Sequence, residues 1–117
     1  MSAPAGTYNI VADQGATFSR VITWKTTAGT PVDLTGYTAK MQVRTTPSAA
    51  AAVLTLSTAA GSIVLGGALG TITITGQASA MTMDGYNYVY DLELTSAGGA
   101  VTRLIMGNFT VRAEVTQ

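Results

Sequence analysis

The sequence predicts an all-β domain: an antiparallel β-sandwich of about seven to nine strands with at most one short helical turn. Three observations predict it. Tyr37, Ala39, Met41 and Val43 alternate without exception with Thr38, Lys40, Gln42 and Arg44, the period of a strand with one wet face. Tyr86, Tyr88, Tyr90, Leu92 and Leu94 alternate in the same way with Asn87, Val89, Asp91 and Glu93. Between such runs, turn signals rich in glycine recur at roughly 8–12-residue intervals, the spacing of an antiparallel sheet and not of a parallel one. The chain has 117 residues, 47% of them apolar, enough for one core and one domain. That domain is assigned to residues 8–117, behind an N-terminal arm of residues 1–7.

Taken in order, Ala16–Lys25 reads as a strand with Phe18, Ile22 and Trp24 inward and Ser19, Thr23 and Lys25 outward. Arg20 falls on its inward parity and Val21 on its outward one, a conflict that a β-bulge near Arg20 would resolve; without one, Arg20 needs a buried partner. Residues 26–31 carry the Gly29 and Pro31 of a turn, so this strand and 37–44 are expected to form a hairpin with a long return. Residues 46–52 contain Pro47 and an alanine run too short and too poorly capped to nucleate a helix, and read as a loop. Val53–Ser57 is a short strand. Ser62–Leu65 and Thr71–Thr75 flank the glycine-rich turn 66–70 and read as a second hairpin. Gln77–Met83 is the one candidate helical segment, stopped by Asp84-Gly85. Residues 86–95 form the central core strand, turned by Ser96–Ala100 into an antiparallel partner at 101–106. Gly107 reads as a bulge or bend before a last strand whose inward face is Phe109, Val111, Ala113 and Val115. The core is therefore assigned to Phe18, Ile22, Trp24, Tyr37, Met41, Val43, Tyr88, Tyr90, Leu92, Leu94, Phe109 and Val111, with Trp24 filling the central volume.

Charged residues make up only 10% of the chain and sum to zero, against roughly 25% in an average soluble domain. Hydroxyls and backbone thus carry the surface, and such a surface tolerates packing against neighbours. No Lys/Arg cluster supplies the positive field that nucleic acid or an anionic membrane would require. No segment reaches the length of a membrane span. Residues 1–6 lack the basic and apolar regions of a signal peptide, so synthesis in the cytoplasm is expected.

Histidine and cysteine are both absent, which removes the commonest general base, metal ligand and strong nucleophile. Lys25 and Lys40 fall at wet positions and leave the serines without an activating base. Asp91 and Glu93 share one strand face and could in principle form a carboxylate pair or hold calcium, but the pattern fits a solvated face. Asp13, Asp33 and Asp84 stand beside Gly15, Gly36 and Gly85, where side-chain-to-backbone turn chemistry accounts for them. No catalytic residue, metal ligand, cofactor or small-molecule substrate is therefore expected. Val21 and Val89, apolar at outward positions, are the candidate subunit-contact residues.

Read in order, Gln14-Gly-Ala-Thr-Phe18, Ile22-Thr-Trp-Lys25, Pro31-Val-Asp-Leu-Thr-Gly-Tyr-Thr-Ala-Lys-Met-Gln-Val-Arg44, Gly85-Tyr-Asn-Tyr-Val-Tyr-Asp-Leu-Glu-Leu94 and Val101-Thr-Arg103 resemble a family of small β-sandwich proteins of tailed bacteriophages. That family is related to the siphophage collar protein that attaches L-shaped tail fibres, and similar Ig-like modules begin baseplate adaptors. The resemblance runs from about Tyr8 to Val115 and is weakest in the alanine-rich middle. It implies an Ig-like fold and a virion protein of the tail region, assembled in the host cytoplasm. Its partners would be further copies of itself in a ring or trimers, together with tail or fibre proteins. Two other classes share the composition: a capsid decoration protein, and a carbohydrate-binding module using Tyr86, Tyr88 and Tyr90 as a sugar platform.

Overall fold

The structure, a computed structural model, describes residues 6–114. Nine strands are formed among them: β1 (Gly6–Thr7), β2 (Ile10–Asp13), β3 (Phe18–Thr23), β4 (Thr38–Arg44), β5 (Leu54–Ser57), β6 (Ile63–Leu65), β7 (Thr71–Gly76), β8 (Tyr86–Thr95) and β9 (Val101–Arg112). Among the described residues, helix is limited to two three-residue 3-10 turns, Gly67–Leu69 and Ala78–Ala80, one more than the single short turn expected at most. Of the arm assigned to residues 1–7, Gly6 and Thr7 form β1; residues 1–5 and the inward assignment of Val115 lie outside the described residues.

The strands form two sheets. The larger runs β1-β9-β8-β4-β5, with β2 also on β9; the smaller runs β3-β7-β6. One core joins them, with Ile72, Ile74, Ile63 and Phe18 of the smaller sheet packed against Ile10, Met41, Val43, Leu92, Leu94, Phe109 and Val111 of the larger. The Phe18 and Phe109 rings meet edge-on at 5.4 Å across the sheets. Strands β4, β7 and β8 show the period-2 alternation that puts one row inward: β7, for example, buries Ile72 and Ile74 and turns its threonines outward.

Three expectations about topology are corrected. The sheets are not wholly antiparallel, because β1 and β2 run parallel to β9. Strands β3 and β4 are not a hairpin: β3 pairs with β7 and β4 with β8 and β5, because the chain between them crosses from one sheet to the other. Past the end of β3, Trp24 donates its backbone N–H to Gly70 and accepts from Val32. Gly70 sits at φ +68°, and a Cβ there would lie 2.7 Å from the Trp24 carbonyl, so this crossing requires glycine. Finally, Gly107 does not break the last strand. β9 is continuous through it, and the register shift falls opposite Leu92/Glu93, leaving Leu104 as the extra residue. β9 ends at Arg112, and Ala113 is exposed.

Gly107 does something else. A Cβ on it would lie 2.6 Å from the Tyr8 carbonyl oxygen and 2.8 Å from Asn9 Oδ1. The missing side chain lets residues 8 and 9, which link β1 to β2, run alongside β9 with the Tyr8 carbonyl packed against Gly107 at backbone distance. There Tyr8 donates its N–H to the Met106 carbonyl at 2.9 Å, Asn9 Oδ1 accepts from the Asn108 N–H at 3.0 Å, and the buried Tyr90 hydroxyl donates to the Tyr8 carbonyl. The N-terminal strands are thereby clamped to the last one.

Candidate functional site

Of the residues assigned to the core, Phe18, Met41, Val43, Tyr88, Tyr90, Leu92, Leu94, Phe109 and Val111 are buried, while Ile22, Trp24 and Tyr37 are half-buried against the same cluster. Trp24 is not central. It lies beyond the end of β3, edge-on to Tyr37 at 6.1 Å, and the Phe18–Phe109 pair takes the middle instead. Tyr86 shares the parity of Tyr88 but is 55% exposed, because the strand overruns the core at that end. Tyr88 donates its hydroxyl to the Asp84 carbonyl at 2.8 Å. A sugar platform needs exposed ring faces; with Tyr88 and Tyr90 inside, the stretch offers Tyr86 alone.

Arg20 needs no bulge. The β3–β7 register is unbroken from Phe18 to Thr23, and Arg20 is half-buried at the open side between the sheets. Its guanidinium stands 4.9 Å from the centre of the Phe18 ring and donates to the Val11 carbonyl at 2.9 Å and the Ser19 carbonyl at 2.8 Å. An inward-pointing charge on edge strand β3, bonded to edge strand β2, guards that side of the molecule against pairing with another chain. Val21 accordingly stays outward, 64% exposed.

The acids are likewise redistributed. Asp33 accepts from the Thr35 N–H at 3.0 Å and the Thr35 hydroxyl at 2.6 Å, the turn chemistry expected of it, and these bonds hold its carboxyl below the usual range. Asp13 is instead engaged by Arg112, whose Nε and guanidinium Nη2 donate to its two oxygens at 2.7 and 3.1 Å. That side-chain bond lowers the Asp13 pKa and raises that of Arg112. Among the described residues, no group of three or more Asp or Glu is arranged to hold a metal ion, and no helix is long and apolar enough to cross a membrane.

What the fold does bring together is charge on one face and none on the other. On the outer face of the larger sheet, Lys40, Glu93 and Arg103 are aligned across β4, β8 and β9, and Arg103 pairs with Asp91 at 3.1 Å. Opposite charges in adjacent strands compensate one another and hold water. A hollow of about 370 Å³ lies on this face, lined among others by Gln42, Arg44, Pro47, Val89, Asp91 and Met106. Arg44, part of the lining, donates to the Ala49 carbonyl at 2.8 Å and to Gln42 Oε1 at 2.9 Å. Val89 is half-buried there.

The outer face of the smaller sheet has a different chemistry. Ser19, Val21 and Thr23 of β3, Thr71, Thr73 and Thr75 of β7, and Val64 of β6 point out, and none is charged. Val21, Thr73 and Val64 form one row across the three strands, with Val21 and Val64 64% and 60% exposed. Sequence reasoning found Val21 but missed Val64 and the threonines. The available signal was that residues 45–83 contain no Asp, Glu, Lys or Arg; β5, β6 and β7 all fall inside that run.

No family model matches the chain, and no curated protein matches it.

Proposed function

We propose that this chain is an Ig-like β-sandwich serving as a structural, non-catalytic packing module in the tail region of a tailed bacteriophage, where it joins tail or fibre proteins through repeated contacts in a symmetric assembly. The strand order supports the Ig-like reading: β3-β7-β6 stands for strands B-E-D, and β9-β8-β4 for G-F-C with β5 as an added C′ strand. The resemblance of the residue strings quoted above to tailed-phage β-sandwich proteins supports the source.

The observation that carries the assembly function is the charge-free outer face of β3-β7-β6. A face that remains in water has no physical need to exclude charge from every outward position, whereas charges at the centre of a protein contact must be desolvated. Closed symmetry then multiplies modest contacts, since each further one is effectively intramolecular.

The test is antibody labelling of purified particles. Label on tails fits this reading. Label on heads would transfer the chain to the capsid decoration class, and particles without the chain would end the structural reading.

A further inference from the structure

We infer that Asp84 is a site of spontaneous covalent modification: its side chain closes on the Gly85 backbone nitrogen and reopens as isoaspartate, so that the chain then runs through its β-carboxyl carbon. The inference goes beyond the packing function and stands or falls without it.

The chain has four aspartates, Asp13, Asp33, Asp84 and Asp91, and only Asp84 is followed by glycine; no asparagine is. The structure separates Asp84 from the other three a second time. Arg112 binds the Asp13 carboxylate, Thr35 that of Asp33, and Arg103 that of Asp91. Asp84 and Gly85 are both exposed, in the segment between the second 3-10 turn and β8. The turn bond expected of the Asp84 side chain is not made. Among the described residues, no donor reaches its carboxylate and no acceptor takes the Gly85 N–H. Both reacting groups are therefore free, and an unengaged side chain in water turns readily among its rotamers.

Glycine supplies the remaining condition, because it has no Cβ to shield the attacking nitrogen. The fold retains it there: a Cβ on Gly85 would lie 3.0 Å from both the nitrogen and the Cβ of Ala113, just past the end of β9. Packing at the start of β8 thus keeps the reactive pair in place.

The reaction needs only water. The Gly85 nitrogen attacks Cγ of the protonated Asp84 carboxyl, an intramolecular approach to a neighbouring group. An N–Cγ bond forms, the N–H proton departs, the Cγ–OH bond breaks, and one water leaves a five-membered cyclic imide. Water then adds to either imide carbonyl. Addition at Cγ restores aspartate; addition at the main-chain carbonyl breaks the original peptide bond and leaves isoaspartate. One water leaves and one returns, so mass and net charge are unchanged. The backbone grows by one carbon between Met83, which is buried, and β8. The negative charge moves from the side chain to the former main-chain carbonyl, the group that accepts the Tyr88 hydroxyl at 2.8 Å.

That hydroxyl bond is the restraint on the Asp84 carbonyl, and as one net hydrogen bond it should slow the native chain by no more than about tenfold against a free peptide. The full folded chain and a synthetic peptide of residues 81–88 are aged side by side in mildly acidic buffer made with heavy-oxygen water. Isoaspartate is located by fragment mass spectrometry and measured by enzymatic methyl esterification. The native chain should gain isoaspartate at Asp84, with one heavy oxygen in that residue, within about tenfold of the peptide rate. Asp13, Asp33 and Asp91 should stay unchanged over the same time. Asp84→Glu, an exposed substitution that keeps the charge but cannot close a five-membered ring, should abolish the product while circular dichroism shows the wild-type fold. A native chain that forms none, or forms it far more than tenfold slower than the peptide, overturns the inference. So does isoaspartate appearing equally at the three engaged aspartates, or persisting in Asp84→Glu.

Discussion

Replacing Gly107 by alanine tests how the N-terminal strands are held. The added Cβ would lie 2.6 Å from the Tyr8 carbonyl oxygen and 3.0 Å from its carbonyl carbon, both backbone atoms, so the 8–9 segment must move away from β9. Three bonds are lost or stretched: Tyr8 N–H to Met106, Asn108 N–H to Asn9, and the Tyr90 hydroxyl to Tyr8. At about 1 kcal/mol net each, less about 0.4–1 kcal/mol returned because alanine restricts the unfolded chain, the expected loss is about 2 kcal/mol. For a domain of this size that lowers Tm by on the order of 10 °C. Urea unfolding gives the energy, and hydrogen exchange at the Asn108 amide reports the clamp itself. Gly98→Ala is the control: its new Cβ would find nothing nearer than Ser96 Oγ at 3.9 Å, and a change within about 0.5 kcal/mol is expected. If Gly107→Ala proves as stable as Gly98→Ala, the close approach of residues 8 and 9 does not hold the N-terminal strands.

Other perturbations read separate parts of the structure. Phe109→Ala removes a fully buried ring that meets Phe18 at 5.4 Å and Tyr90 at 6.2 Å, and should cost about 3–5 kcal/mol in urea unfolding. Asp13 and Asp33 have depressed folded pKa values against an ordinary value of 3.8. Their contribution is present above that value and is lost as pH falls through the folded pKa; Asp13→Asn should flatten the acid side of a stability-versus-pH profile. Burial, with Tyr8 adding to it, raises the Tyr90 pKa above its ordinary 10.0. Stability is therefore full below pH 10 and falls above it, as the unfolded chain gives up a proton that the folded one keeps, with Tyr88 acting in the same sense. Tyr90→Phe should reduce that alkaline loss while costing about 1 kcal/mol at neutral pH.

The parts of the fold legible in the sequence are those set by local periodicity. β4 and β8 announce themselves because alternation along one strand needs only that strand. The misreadings concern residues whose partners lie far along the chain. Gly107 looks like a bulge or bend until Tyr8 and Asn9 are seen beside it. Asp13 looks like a turn residue until Arg112 reaches it. Arg20 looks like a register error because the open side between two sheets, where its guanidinium meets the Val11 carbonyl, exists only after folding. The parallel pairing of β1 and β2 with β9 has no local signature either. The candidate surface was half legible. Val21 stood out by parity, but the charge-free run 45–83 acquires meaning only when β7 brings Val64 and Thr73 into line with Val21.

The most direct test of the packing function is a density map of the assembled particle with this chain placed in it. The outer face of β3-β7-β6, with Val21, Thr73 and Val64, should be covered by protein, and the Lys40–Glu93–Arg103 row should face water. A map in which the threonine face is open to solvent and the charged face is the buried one would contradict the account.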